Sequence, residues 1–215
     1  MNGAKWDPSL GLEENVKASV PLLVSFNKRV DANIDMDGFL IEIDEERYGD
    51  TSKWGHHQLS LKKLFSMTST LVESLSKTVK KVLTILSDND PSGDNSMKED
   101  LRSNFWNFRF GGGVIAFFIS VLAPCYHKNH SRFPYGSTHT FILLQPEISF
   151  KNKAIKLDYD PKSVRHLVRK RFTDATQPYD PRDAKEYTMC HWIVRPMQVD
   201  QPPIRWWDAS IVDWD

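Results

Sequence analysis

A helical stripe of apolar residues between Leu59 and Ser87 is the clearest pattern in the chain. Apolar side chains recur there at intervals of three and four residues, which places them on one face of an α-helix. We interpret that face as core packing rather than as a ligand site. A shorter amphipathic segment, residues 161–173, opens on a proline, which suits the first turn of a helix. The pattern therefore predicts one long helix and one shorter helix.

Four segments have the alternation or the continuous apolar character of β-strands. Gly38–Asp44 and Phe105–Phe110 alternate, whereas Val114–Leu122 is a continuous β-branched and aromatic run, typical of a central strand buried on both faces. The fourth segment, His139–Leu144, is ended by Pro146. Because a polar loop separates the last two strands, we expect them to form an antiparallel pair.

Three further segments have weaker patterns. Val20–Phe26 is a short apolar run that fits either a buried strand or the start of a helix, and Thr188–Val194 fits a last strand. The three glycines at 111–113 lead into a strand and not into a helix, so they lack the helix N-terminus that binds phosphate. We interpret them as a bulge or a close approach of the backbone.

These elements predict a single α+β domain over residues 1–215, with a mixed, mainly antiparallel sheet packed against one long helix and one or more shorter helices. Residues 1–19 mix polar residues with glycine and proline and are expected on the surface. Residues 88–96 contain nearly every helix-breaking residue and predict an internal loop. The tail 198–215 carries three tryptophans, so we expect it to pack on the body of the domain.

Charge and composition narrow the class of protein. The chain has 28 basic and 28 acidic residues, so its formal charge gives no electrostatic reason to expect a nucleic acid or an anionic membrane as a partner. The longest apolar run, 114–123, has ten residues, whereas a membrane-spanning helix needs about 20. Two cysteines cannot build a disulfide framework, and the N-terminus lacks the apolar segment of a signal peptide. We therefore expect a cytoplasmic protein.

The loop that follows the predicted central strand holds the densest group of reactive side chains. Within residues 123–132 lie a thiol, a phenol, two imidazoles and a guanidinium, contributed by Cys125, Tyr126, His127, His130 and Arg132. A strand end fixes such a loop in place while the loop carries the chemistry, so sites are common at this position. We predict that the functional pocket opens here and that one of these side chains binds a cofactor.

His127 and His130 are the preferred ligands, because imidazole binds haem iron, non-haem iron and zinc alike. Their spacing of three residues lets both face one metal ion, and His139 adds a third imidazole nearby. The chain has no CxxC pair, which excludes a four-thiolate zinc site, and it has no P-loop, GxSxG, HExxH or EF-hand loop. The residues alone leave the choice of metal open.

The second half of the chain resembles the YqcI/YcgG family. The resemblance covers roughly residues 101–197. It rests on short motifs in matching order and spacing, namely Trp106–Gly112, Ala123-Pro124, Ser131-Arg132, Leu144-Gln145-Pro146 with Phe150, Val164–Phe172 followed by Tyr179-Asp180, and His191-Trp192. The family has Phe-Pro-Cys near its start, where this chain has Val20-Pro21-Leu22. It also places a histidine soon after the proline that ends the strand. An ungapped match puts Tyr126 there, and a shift of one residue puts His127 there.

Family members with an assigned activity are haem-dependent N-oxygenases, which hydroxylate a nitrogen of guanidine, amine or amino-acid-derived substrates in natural-product biosynthesis. The resemblance therefore implies a monooxygenase with haem b, a small-molecule substrate and a role for an electron-donor protein. A haem needs an axial ligand and cations that pair with its propionates. The candidate ligands are Cys125, Tyr126, His127 and His130, and the candidate propionate partners are Arg109 and Arg132.

Two other functions stay open on the sequence. One is a non-haem metal enzyme that uses the histidines between 127 and 139. The other is a non-catalytic protein that keeps the fold and binds a small molecule or haem.

Overall fold

A computed structural model gives the arrangement of most of the chain. It describes residues 2–32, 37–44, 61–95, 97, 108–113, 116–156, 160–178, 193–198 and 201. In chain order its helices and strands are β1 (Asn2–Ala4), α1 (Leu12–Asp31), β2 (Phe39–Asp44), α2 (Leu61–Asp88), β3 (Phe117–Leu122), β4 (His139–Pro146), α3 (Glu147–Lys156) and α4 (Pro161–Asp174). The predicted α+β class is confirmed, and so are the long helix, the helix that begins at Pro161 and the strands at β2 and β4.

The four described strands form one sheet in the order β1-β2-β4-β3. The short β1 runs parallel to β2, and the other neighbours are antiparallel. The predicted antiparallel pairing of β3 with β4 is confirmed, with Val121 opposite Ile142. Among the described strands β3 is the last in the order, so its predicted central place stays a prediction that the described part of the chain does not confirm.

Packing from both sides explains why β3 has the sequence of a central strand. The ring of Phe117 lies 6.3 Å from that of Phe26 on α1. On the opposite face, Phe118 meets Phe150 of α3 edge-on, with ring centroids 5.8 Å apart. A strand covered on both faces needs apolar residues at successive positions, whatever its place in the sheet.

The main core lies between one face of the sheet and the first two helices. Ile41 and Ile43 of β2 are buried on this face. Phe26 of α1 meets Phe39 of β2 with ring centroids 5.7 Å apart. The buried stripe of α2, which includes Val79 and Leu83, belongs to the same cluster. The apolar stripe of the long helix therefore serves as core packing, as its spacing predicts.

Helix α1 is longer than the sequence pattern indicated. The run Val20–Phe26 lies inside α1, with Pro21 within the helix, so it is neither a strand nor a helix start. Pro21 is exposed. Residues 12–19 form the first turns of the same helix, and Val16 and Ser19 are buried. This part of the predicted surface segment 1–19 therefore packs into the core.

The triple glycine forms a tight turn rather than a bulge. Phe108 and Phe110 before it are fully buried, and the amide of Phe117 donates a hydrogen bond of 2.8 Å to the Phe108 carbonyl. Gly111 and Gly112 have φ of 66° and 71°, which other residues adopt only with strain. The turn sends the chain back along residues 108–110 and into β3.

The loop after α2 holds that turn in place. The carboxylate of Asp90 accepts hydrogen bonds from the amides of Gly111 and Ser92, both at 2.9 Å. The side-chain amide of Asn27 on α1 donates to the Phe110 carbonyl. Contacts from α1 and from the loop after α2 therefore fix the backbone that leads into β3.

Several predicted segments lie wholly or mostly outside the described residues. They are the first part of Phe105–Phe110, residues 114–115, the predicted last strand up to residue 192, and the tail beyond residue 201. Helix α3 was not anticipated, because lysines interrupt its apolar residues in the sequence. Within the described part of the chain, no helix has the length and apolar character needed to cross a membrane.

Candidate functional site

The loop 123–132 leaves the end of β3 and is closed by backbone hydrogen bonds. The amide of Ala123 donates to the carbonyl of Arg132 at 3.2 Å, which joins the two ends of the loop. Inside it, the Tyr126 amide donates to Ala123 at 3.0 Å and the His130 amide donates to His127 at 2.8 Å. The loop is therefore two successive tight turns anchored to a buried strand.

Tyr126 and His130 stack on each other beneath the surface of this loop. Their rings are parallel within 6°, with centroids 4.3 Å apart, and their residues are only 1% and 5% exposed. The Tyr126 hydroxyl donates to the carbonyl of Arg195 at 2.9 Å and accepts from the Arg195 amide at 3.0 Å. Burial raises the pKa of Tyr126 far above its usual range, so the phenol stays protonated.

His130 uses both of its ring nitrogens in hydrogen bonds. Nε2 lies 3.1 Å from the carbonyl of Pro196, and Nδ1 lies 3.1 Å from the amide of Arg132. Because a carbonyl can only accept and an amide can only donate, Nε2 carries the proton and the imidazole is neutral. Burial, together with the charge of Arg195, lowers the pKa of His130 to about 3. His130 therefore ties the loop to residues 195–196 and has no nitrogen left over for a metal in this arrangement.

The other predicted site residues have different surroundings. Cys125 is half buried and packs against the core, His127 is exposed, and Arg132 is buried. Arg109 is exposed beside the glycine turn. The structure thus brings Cys125, Tyr126, His130 and Arg132 together on one loop, with His127 on its outer side.

The three histidines considered for a shared metal have different partners. His139 on β4 lies against β2, with Nδ1 2.7 Å from a carboxylate oxygen of Glu42 and Nε2 3.9 Å from one of Asp44. His130 is bonded to Pro196, and His127 faces solvent. Among the residues that the structure describes, no three histidine, cysteine or acidic side chains are grouped to hold a metal ion.

Two functional contacts could not be found from sequence reasoning. The backbone of Arg195 accepts one hydrogen bond from the Tyr126 hydroxyl through its carbonyl and donates one to it through its amide, and it lies 69 positions further along the chain. Gln177, which is buried, donates from Nε2 to the carbonyl of Lys128 at 2.8 Å across 49 positions. Neither contact has a local pattern, so nothing in the sequence of the loop points to these partners.

One family model matches the chain. It is that of the YqcI/YcgG family, and it matches residues 25–189, which is more than half of the chain. The matched range contains the whole loop 123–132 and ends before Arg195. No curated protein and no solved structure matches this sequence.

Proposed function

The chain belongs to the YqcI/YcgG family, and on that basis we propose that it is a haem-dependent oxygenase that hydroxylates a nitrogen of a small guanidine, amine or amino-acid-derived substrate. The family match over residues 25–189 carries the proposal, because it includes β3, the loop 123–132 and the two helices that follow β4. Haem b is the proposed cofactor, and it would supply the activation of oxygen.

His127 is the proposed axial ligand. Among the imidazoles of the loop it is the exposed one, whereas both nitrogens of His130 are engaged. It is also the residue that a one-position shift aligns with the histidine of the family pattern. Cys125 is the second candidate, because it is half buried in the same loop. Arg132 is buried at the end of the loop and is the proposed partner for a propionate or a substrate carboxylate.

His130 and Tyr126 are proposed to position the ligand rather than to bind iron. Their stacked rings occupy the interior of the loop, and their polar atoms bond the backbone at 195–196. A ligand side chain holds its orientation only when the backbone that carries it is fixed. The rigid pair thus keeps His127 and Cys125 at fixed places on the loop.

Haem titration into the apoprotein and into three variants tests these assignments. We expect the parent to bind haem with a Soret band. His127→Ala should lose affinity and change the spectrum, whereas Cys125→Ser should keep both. His130→Gln should bind haem through the same ligand but fold less stably. If His127→Ala binds with parental affinity and an unchanged spectrum, His127 is not the ligand.

The substrate class is tested separately. Turnover of the haem-loaded protein with a guanidine and with a primary amine should add one oxygen atom to one of them, measured by mass spectrometry. Addition of oxygen at carbon alone would contradict N-hydroxylation.

A further inference from the structure

Positive charge is concentrated on α4. Residues 161–174 contain five lysines and arginines and one acidic residue, although the charges of the whole chain balance. His166, Arg169, Lys170 and Arg171 are exposed, and only Lys170 has an acidic partner on the helix, at 2.7 Å from Asp174. The described part of this helix therefore presents a basic surface in a protein without net charge.

Exposed apolar side chains accompany this charge. Val168 lies among the basic residues of α4 and is 44% exposed. Tyr135, on the turn that precedes β4, is 77% exposed. Arginine and tyrosine are enriched at protein interfaces, where an apolar centre is surrounded by charge. The composition of this surface thus fits a protein-binding site better than an ordinary solvated helix.

Tyr135 is held in an unfavourable backbone conformation. Its φ is +54°, in the left-handed region that bulky residues avoid, and Gly136 follows at +90°. Such a conformation is strained for a residue with a side chain, and it persists where the surroundings impose it. Phe133 supports the ring at a centroid distance of 5.8 Å. An exposed aromatic residue kept in place at this cost points to a binding role.

Gln177 connects this tyrosine to α4 and to the candidate site. It follows the C-terminal end of α4 and is 5% exposed. Its Oε1 accepts a hydrogen bond of 3.3 Å from the Tyr135 hydroxyl, and its Nε2 donates to the carbonyl of Lys128 in the loop 123–132. One buried side chain therefore joins the aromatic turn, the end of the basic helix and the loop that carries His127.

We propose that α4 and the Tyr135 turn form a docking surface for an acidic protein. The position of this surface fits the electron donor of the oxygenase as the partner. Only this identification of the partner rests on the proposed function. Arginine pairs with carboxylates through two parallel hydrogen bonds, and opposite charge speeds the encounter of two proteins. A nucleic acid is less suited, because the charge of the whole chain is zero and gives no wider attraction to a polyanion.

Binding of an acidic plant-type [2Fe–2S] ferredoxin, measured by calorimetry at low and high salt, tests this surface. The double charge reversal Arg169→Glu with Arg171→Glu should weaken binding about tenfold, and Tyr135→Ala should weaken it several-fold without changing any charge. The matched control is Lys28→Glu with Arg29→Glu, which makes the same charge change at two exposed positions near the end of α1.

Three results would overturn the proposal. The first is that the parent does not bind ferredoxin. The second is that the α4 variant and the α1 control lose ferredoxin affinity equally. The third is that the parent binds a single-stranded oligonucleotide or phosphatidylserine vesicles more tightly than ferredoxin at the same salt. Melting curves of the variants must match that of the parent. The measurement is made with and without haem, so a chain that binds ferredoxin but no haem would contradict the proposed function and leave the docking surface standing.

Discussion

Acid should destabilise this protein through one buried imidazole. His130 has a pKa of about 3 in the folded chain, whereas an exposed histidine has about 6.5. As the pH falls below about 6.5, the unfolded chain takes up a proton at this residue and the folded chain does not. The contribution of His130 to the free energy of unfolding is therefore constant above about pH 6.5. It falls by about 1.4 kcal/mol per pH unit between the two pKa values.

Between about pH 7 and about pH 5 the loss through His130 amounts to about 2 kcal/mol, a large part of the stability of a typical domain. Acidic side chains also respond to pH, so the parent alone does not isolate the effect. Urea unfolding of the parent and of His130→Gln, followed by circular dichroism at both pH values, does isolate it. The variant should be less stable at neutral pH by about 1–3 kcal/mol, because it disturbs the hydrogen bonds to Pro196 and Arg132.

The difference in free energy of unfolding between the parent and His130→Gln decides whether His130 is responsible. It should shrink by about 2 kcal/mol on going to the lower pH, because the variant has no imidazole to protonate. His127→Gln, at an exposed position on the same loop, is the control. Its free energy of unfolding should change with pH as that of the parent does. If the parent and His130→Gln lose stability in parallel, the assignment of His130 as a buried neutral residue is refuted.

Three further substitutions test the packing that positions the loop. Phe117→Ala should cost about 3–5 kcal/mol, since it empties a buried aromatic site, and a melting temperature within a degree or two of the parent would contradict this. Tyr126→Phe removes both bonds to the Arg195 backbone and should cost about 1–3 kcal/mol in urea unfolding, whereas Tyr135→Phe at an exposed site should change little. Gly112→Ala should cost about 1–2 kcal/mol by the same assay, because its φ of 71° is unfavourable for alanine; no change would mean that the turn relaxes.

Local patterns predicted the parts of the fold that local spacing determines. The stripe of α2 and the alternation of β2 and β4 depend on neighbours a few residues apart, and the structure has these elements within two residues of their predicted bounds. The extent of helix α1 was missed because Pro21 interrupts its sequence, although tertiary packing of Leu23 and Phe26 stabilises the helix across it. The place of β3 in the sheet depends on partners that its own sequence does not specify.

The reactive side chains of the candidate loop are visible in the sequence, but their surroundings are not. The chemistry of residues 123–132 is visible in the sequence, since a strand end followed by reactive side chains is a local signal. The difference in surroundings between His127 and His130 is not a local feature, because it depends on the carbonyl of Pro196, 66 positions from His130. His127 and His130 are equally good candidate ligands in the sequence. In the structure His127 is exposed, whereas His130 forms hydrogen bonds through both ring nitrogens.

The absorption spectrum of the purified chain after reconstitution with haem b tests the central claim most directly. The account predicts a Soret band, one haem per chain and loss of that band in His127→Ala. A parent that stays colourless after haem supplementation, with its fold intact by circular dichroism, would contradict the assignment of this chain as a haem-dependent oxygenase.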